Sequence, residues 1–86
     1  GEFDMVVFDP EAGSCQIFEI KHSEEVVSQQ YRHLINEEKC AQTEHRYGSI
    51  TGKFVLYHGE SQVIDEIQYQ NVEEYLRNLS NNHLKE

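Results

Sequence analysis

Two apolar segments joined by a run of turn-forming residues constrain the fold most. Phe3-Asp4-Met5-Val6-Val7-Phe8 and Cys15-Gln16-Ile17-Phe18-Glu19-Ile20-Lys21 are rich in β-branched and aromatic residues, and Asp9-Pro10-Glu11-Ala12-Gly13 between them carries turn chemistry. A loop with Pro10 opening a type I turn and Gly13 in the left-handed region pairs Asp9 with Ser14. Counting inward then sets Asp4 opposite Glu19. Side chains alternate across a strand, so Asp4, Val6, Phe8, Cys15, Ile17, Glu19 and Lys21 share one face, and Met5, Val7, Phe18 and Ile20 the other. Both faces are largely apolar near the middle of this hairpin. Such a sheet needs cover on both sides, from two layers of helix or from a partner.

The rest of the chain supplies candidates for that cover. Ser23 is placed to cap a helix over 24–42, with Glu24 and Glu25 in its first turn and an apolar stripe through Val27, Tyr31, Leu34 and Ile35 to Cys40 and Ala41. A loop over 44–53, containing Gly48 and Gly52, leads into a strand over 53–58, which a helical crossover makes parallel to the Glu19 strand. Gly59 ends it. A weaker strand covers 63–71, centred on Ile67-Gln68-Tyr69. Asn71 followed by Val72-Glu73-Glu74 is a cap for a last helix that turns Tyr75, Leu76 and Leu79 inward, with fraying expected from Ser80 onward. The expected architecture is α/β, a mixed four-stranded sheet with two helices in the order β-β-α-β-β-α.

With 86 residues this is one small domain, too small for a large internal cavity, so a site must lie on the surface or be completed by another chain or segment. Seven Lys and Arg against 16 Asp and Glu leave a formal charge of −9. That excludes a broad basic patch and argues against a free-standing nucleic-acid binder, whose affinity comes mainly from cations on phosphates. No apolar run approaches the length of a membrane span, and the start lacks a basic segment followed by an apolar one, so a cytoplasmic address is expected. Cys15 and Cys40 make neither a disulfide framework nor a zinc set and read as reduced and buried. Residues 1–3 are given little weight, because part of this stretch reads as an expression-vector remnant.

Chemistry concentrates at Asp4 and Glu19-Ile20-Lys21. Two carboxylates facing each other across a hairpin repel, so either Lys21 or a metal ion must answer the charge. Glu19 and Lys21 project the same way, and Asp4, Glu19 and the Ile20 carbonyl are the hard oxygen donors that Mg²⁺ or Mn²⁺ takes, with water and a substrate phosphate completing the shell. Such an ion lowers the pKa of bound water and stabilises charge on a scissile phosphate. Spacing alone favours the plainer reading, a partly exposed charge cluster at a sheet edge.

An Asp, then Glu-Ile-Lys about fifteen residues on at the end of a second strand, then a helix and another strand, resembles the PD-(D/E)XK nuclease superfamily. More closely, the segments over 2–7, 18–23, 30–34, 55–60 and 71–76 resemble the uncharacterised nuclease-like domain found C-terminal to prokaryotic AAA-type ATPases. That resemblance implies a truncated restriction-endonuclease-like core in which Asp4 and Glu19 bind the metal and Lys21 assists the attacking water. It also implies an ATP-binding module upstream, since Gly48-Ser49-Ile50-Thr51-Gly52 is no phosphate loop. Nucleic acid is then a partner only of the full-length protein, and the missing layer is restored by homodimerisation or by packing against the ATPase domain. The alternative is a non-catalytic interaction or dimerisation module of that ATPase. The usual core has a further helix and strand before the Asp, and Glu2 cannot replace them.

Other residues read more plainly. Gln30 matches the helical Gln of some RecB-type nucleases or borders the core stripe; Lys39 and Arg46 meet nucleic acid or are solvated charges. His22, His33, His45, His58 and His83 lack zinc spacing, and Tyr31, Tyr57, Tyr69 and Tyr75 read as packing residues. Ser14, Ser23 and Ser28 have no recognisable triad partners.

Overall fold

The structure is a computed structural model that describes residues 3–25 and 31–84. Glu2, Val27, Ser28 and Gln30 lie outside the described residues, as does the side chain of His83. The elements run β1 (Met5–Asp9), β2 (Ser14–Ile20), α1 (Glu37–Tyr47), β3 (Ser49–Tyr57), β4 (Gln62–Ile64), β5 (Ile67–Asn71) and α2 (Val72–Leu84).

The first hairpin has the expected register: Asp9 pairs with Ser14 and Met5 with Phe18. Its turn is held by the Asp9 carboxylate, which accepts the amides of Glu11 and Ala12, and Gly13 sits at φ +64°. β2 and β3 are parallel, as the crossover requires, with a bulge that inserts Thr51 opposite the Cys15–Gln16 step.

Four expectations are corrected. The sheet has five strands rather than four, in the order β1-β2-β3-β5-β4, because the stretch read as one strand over 63–71 folds back on itself. Ile64 pairs with Ile67, and the two residues between them, Asp65 and Glu66, both take positive φ, 50° and 69°, the geometry of a tight hairpin turn. The first helix does not run over 24–42 from a Ser23 cap. Tyr31–Ile35 make turns, Asn36 is extended at φ −69° and ψ 111°, and its side chain accepts the Lys39 amide at 3.0 Å, so α1 starts at Glu37. The helix continues to Tyr47 and β3 begins at Ser49, leaving Gly48 alone where a loop over 44–53 is expected. Finally, α2 extends past Ser80 to Leu84. Its start is the expected one, with Asn71 Oδ1 accepting the amides of Glu73 and Glu74.

The sheet is covered unequally. On one face Phe3, Ile17, Leu34, Val55, Tyr57, Ile67 and Tyr69 form the main core, with Val6, Tyr31, Cys40 and Ile50 packed against it. Phe3, discounted from sequence, is part of this core. On the other face Phe18, Phe54 and Leu56 form a smaller cluster beneath Val72 and Tyr75 of α2, with Phe18 stacked on Phe54 at 4.7 Å. Both thiols are free; Cys15 is buried and Cys40 only half-buried, and burial pushes the Cys15 thiol up.

Candidate functional site

The hairpin register carries Asp4 to the position across from Glu19, one step beyond the last ladder pair. The two residues are interlocked. The Asp4 amide donates to Glu19 Oε2 at 3.1 Å, and Asp4 Oδ2 accepts the Ile20 amide at 2.9 Å. Each carboxylate thus closes a hydrogen bond that the antiparallel ladder leaves unmade at its end.

Burial separates their roles. Asp4 is exposed, whereas Glu19 retains 5% of its exposure and is the one buried charged side chain among the described residues. Desolvation therefore pushes the Glu19 carboxyl above its ordinary value of 4.5. The Asp4 amide opposes that rise; the Asp4 charge and side-chain hydrogen bonding with Asp4 add to it; Lys21 draws it back. Asp4 and Lys21 are thus both close enough to act electrostatically on Glu19. Lys21 leaves β2 with its amide donating to the Leu56 carbonyl at 2.9 Å and its side chain half-buried. The Ile20 side chain is 40% exposed and alternates to the opposite face.

The structure brings Asp4, Glu19 and Lys21 to one end of β2. Among the described residues no group of three or more His, Cys, Asp or Glu side chains comes together as a ligand set. A cation here would have two protein carboxylates, one of them raised in pKa by burial and by the charge of its neighbour, with water completing its shell. That donor set suits Mg²⁺ or Mn²⁺, which keep several waters, better than Zn²⁺, which takes four protein ligands in closed sites.

The sequence reading missed that His22 and His58 come together beyond the strand ends, with rings 6.1 Å apart and 25° from parallel. The His58 amide donates to the Ser23 carbonyl at 2.8 Å, which links the two segments. Only the chain crossing from β2 to β3 joins these positions, so spacing carried no signal. Tyr57 and Tyr69 pack edge to face, and Tyr75 packs against Phe18, as the packing role requires.

No family model, no curated protein and no solved structure matches this chain. No helix among the described residues is long and apolar enough to cross a membrane.

Proposed function

We propose that this chain is a PD-(D/E)XK nuclease-like domain of a prokaryotic ATPase, carrying a centre for metal-dependent phosphodiester hydrolysis in which Asp4 and Glu19 hold a divalent cation and Lys21 positions the attacking water. The observation that carries the reading is the juxtaposition of the Asp4 and Glu19 carboxyls with Glu19 raised in pKa, because a site that favours neutralising its own carboxylate is one that a divalent cation relieves. Bound there, Mg²⁺ or Mn²⁺ would polarise water and the scissile phosphate. Asp4, as the exposed partner, faces the incoming ion, while buried Glu19 fixes Asp4 through its amide. Lys21 supplies the ammonium at the strand end.

The test is cleavage of supercoiled plasmid and of single-stranded DNA during titration with Mn²⁺. Cleavage is expected from the parent, and its loss in Glu19→Ala and Asp4→Asn. If parent and variants behave alike, the nuclease reading fails.

A second reading, an interaction or dimerisation module, is favoured by a different observation. On the α2 face, Met5, Val7, Ile20, Leu56, Val72, Tyr75, Leu76 and Leu79 line an almost wholly apolar groove of about 310 Å³. Val7, Ile20, Leu76 and Leu79 are 40% to 56% exposed there. A second copy of the chain or an upstream ATPase domain would cover it.

A further inference from the structure

We propose that β1 is a dimerisation strand: the β1 strands of two copies of this chain pair antiparallel about Val7 and join the two five-stranded sheets into one. This rests on the interaction-module reading and deepens it, by naming the partner and the way it is held.

β1 is an end strand, paired with β2 alone among the described residues. Such a strand carries a row of backbone amides and carbonyls along its outer side, which a further strand can take up. Edges are commonly guarded by Lys or Pro, by bulges, or by being cut short. Met5-Val6-Val7-Phe8-Asp9 has none of these guards: it contains no Lys or Pro, pairs with β2 residue for residue, and is five residues long. At the other edge β4 has only three residues, which leaves little to pair with.

Exposure shows from which side a partner must come. Val7 lies on the α2 face and Phe8 on the opposite one, yet they are 45% and 50% exposed. Phe8 already packs against Tyr47 of α1, with ring centroids 5.1 Å apart, and half of it is still open. An element laid on one face covers one of these side chains and leaves the other. A strand set along the edge meets both.

Charge placement points to a second copy. The one charged residue in β1 is Asp9, and its carboxylate already accepts the amides of Glu11 and Ala12 in its own turn. Pairing centred on Val7 sets Met5 opposite the partner's Asp9, Val6 opposite the partner's Phe8 and Val7 opposite the partner's Val7. All five strand residues then pair, and no two acids face each other. Sliding by one residue turns the two α2 helices to opposite faces of the joined sheet. In one direction that slide also sets Asp4 against the partner's Asp9; in the other it brings Pro10, which has no amide to donate, into the ladder. The Val7 register avoids all three faults. Met5 and Val7 also line the apolar groove with Leu76 and Leu79 of α2, so a two-fold axis through the Val7 pair sets the two grooves side by side. Edge and groove become parts of one interface.

The experiment is oxidative cross-linking of added cysteines, beside sedimentation of the parent at raised salt, which screens the charge between copies. Opposite residues of antiparallel strands have Cα atoms about 4.5 to 5.5 Å apart, inside the span of about 4.4 to 6.8 Å that a disulfide bridges. The parent, with Cys15 and Cys40, is the control for background oxidation. Val7→Cys is expected to give a disulfide-linked dimer. Val6→Cys and Phe8→Cys are each expected to give none alone and to cross-link when mixed. Phe8→Lys, on the face away from the groove, reduces the negative charge and is still expected to weaken dimerisation about tenfold. A parent that is monomeric at every salt concentration overturns the proposal and leaves the ATPase domain as the occupant of the module's groove. For a dimeric parent, no cross-link from Val7→Cys, an equal one from Val6→Cys alone, or a dimer that Leu79→Glu dissolves and Phe8→Lys leaves intact overturns β1 pairing while the groove contact stands.

Discussion

Asp4 and Glu19 hold each other across the open end of the first hairpin, the amide of Asp4 on the carboxylate of Glu19 at 3.1 Å and the carboxylate of Asp4 on the amide of Ile20 at 2.9 Å. A pair made only for stability would be better served by one acid and one neutral acceptor, since two close carboxylates work against each other. The arrangement therefore stores a repulsion that protonation or a cation removes.

Protonation gives the first prediction. Burial raises the Glu19 carboxyl above 4.5 against the opposing hydrogen bond from the Asp4 amide, so the folded chain holds that proton more tightly than the unfolded chain does. Its contribution to stability is fully present below 4.5 and is lost as pH rises through the elevated folded value. Glu19→Gln keeps an oxygen for the Asp4 amide and has no proton to lose. Urea unfolding of both proteins from acid to neutral pH should show the parent losing stability relative to the variant, and a gap that stays constant with pH would contradict the assignment.

A cation gives the second. At neutral pH, Mn²⁺ should raise the unfolding free energy of the parent by about 2.7 kcal/mol at a hundred times the dissociation constant, and its unfolding midpoint with it, and should leave Glu19→Gln and Asp4→Asn much less affected. The gain should fade as pH falls, because proton and metal compete for Glu19. Thermal melts at several metal concentrations and two pH values check both halves.

Two glycines with positive φ separate space from conformation. Gly48, at φ +96°, joins α1 to β3, and a Cβ there would meet the Gly13 carbonyl oxygen at 2.1 Å. Gly13, at φ +64°, has nothing within 4 Å of the same atom. Gly13→Ala should cost only the conformational term, about 1 to 2 kcal/mol. Gly48→Ala should cost considerably more, because the Ser49 amide also donates to that Gly13 carbonyl at 2.9 Å and the contact cannot relax without breaking it. Denaturant unfolding of the two variants tests the order, and equal losses would show that the junction gives way.

These contrasts explain what the sequence made readable. The hairpin register is set within a few residues by Asp9, Pro10 and Gly13, so local chemistry sufficed to bring Asp4 to Glu19. The α2 start is equally local, in the Asn71 side chain. The first helix was misplaced because Leu34, fully buried in the main core, continues an apolar stripe with Tyr31 and Ile35 that matches helical spacing, whereas α1 buries no residue completely. Its true signal, Asn36 before Glu37 and Glu38, is a cap as plain as the one at Asn71. The β4–β5 turn had no such signal: Asp65 and Glu66 take positive φ without the glycine or asparagine that usually marks a tight hairpin.

The apolar groove on the α2 face yields the last prediction, and salt gives it a sign. Leu76 and Leu79 are 56% and 48% exposed beside Val7 and Ile20, so replacing one of them alters little inside the fold. Leu79→Glu should change unfolding stability by no more than about 0.5 kcal/mol. If two copies meet through this groove, each brings a charge of −9 to the contact, and apolar burial must overcome that repulsion. Added salt screens the repulsion and leaves apolar burial intact, so the dimer fraction in sedimentation experiments should rise with ionic strength and collapse in Leu79→Glu. A parent that stays monomeric at every salt concentration, or a Leu79→Glu variant that dimerises as the parent does, removes self-association through this face.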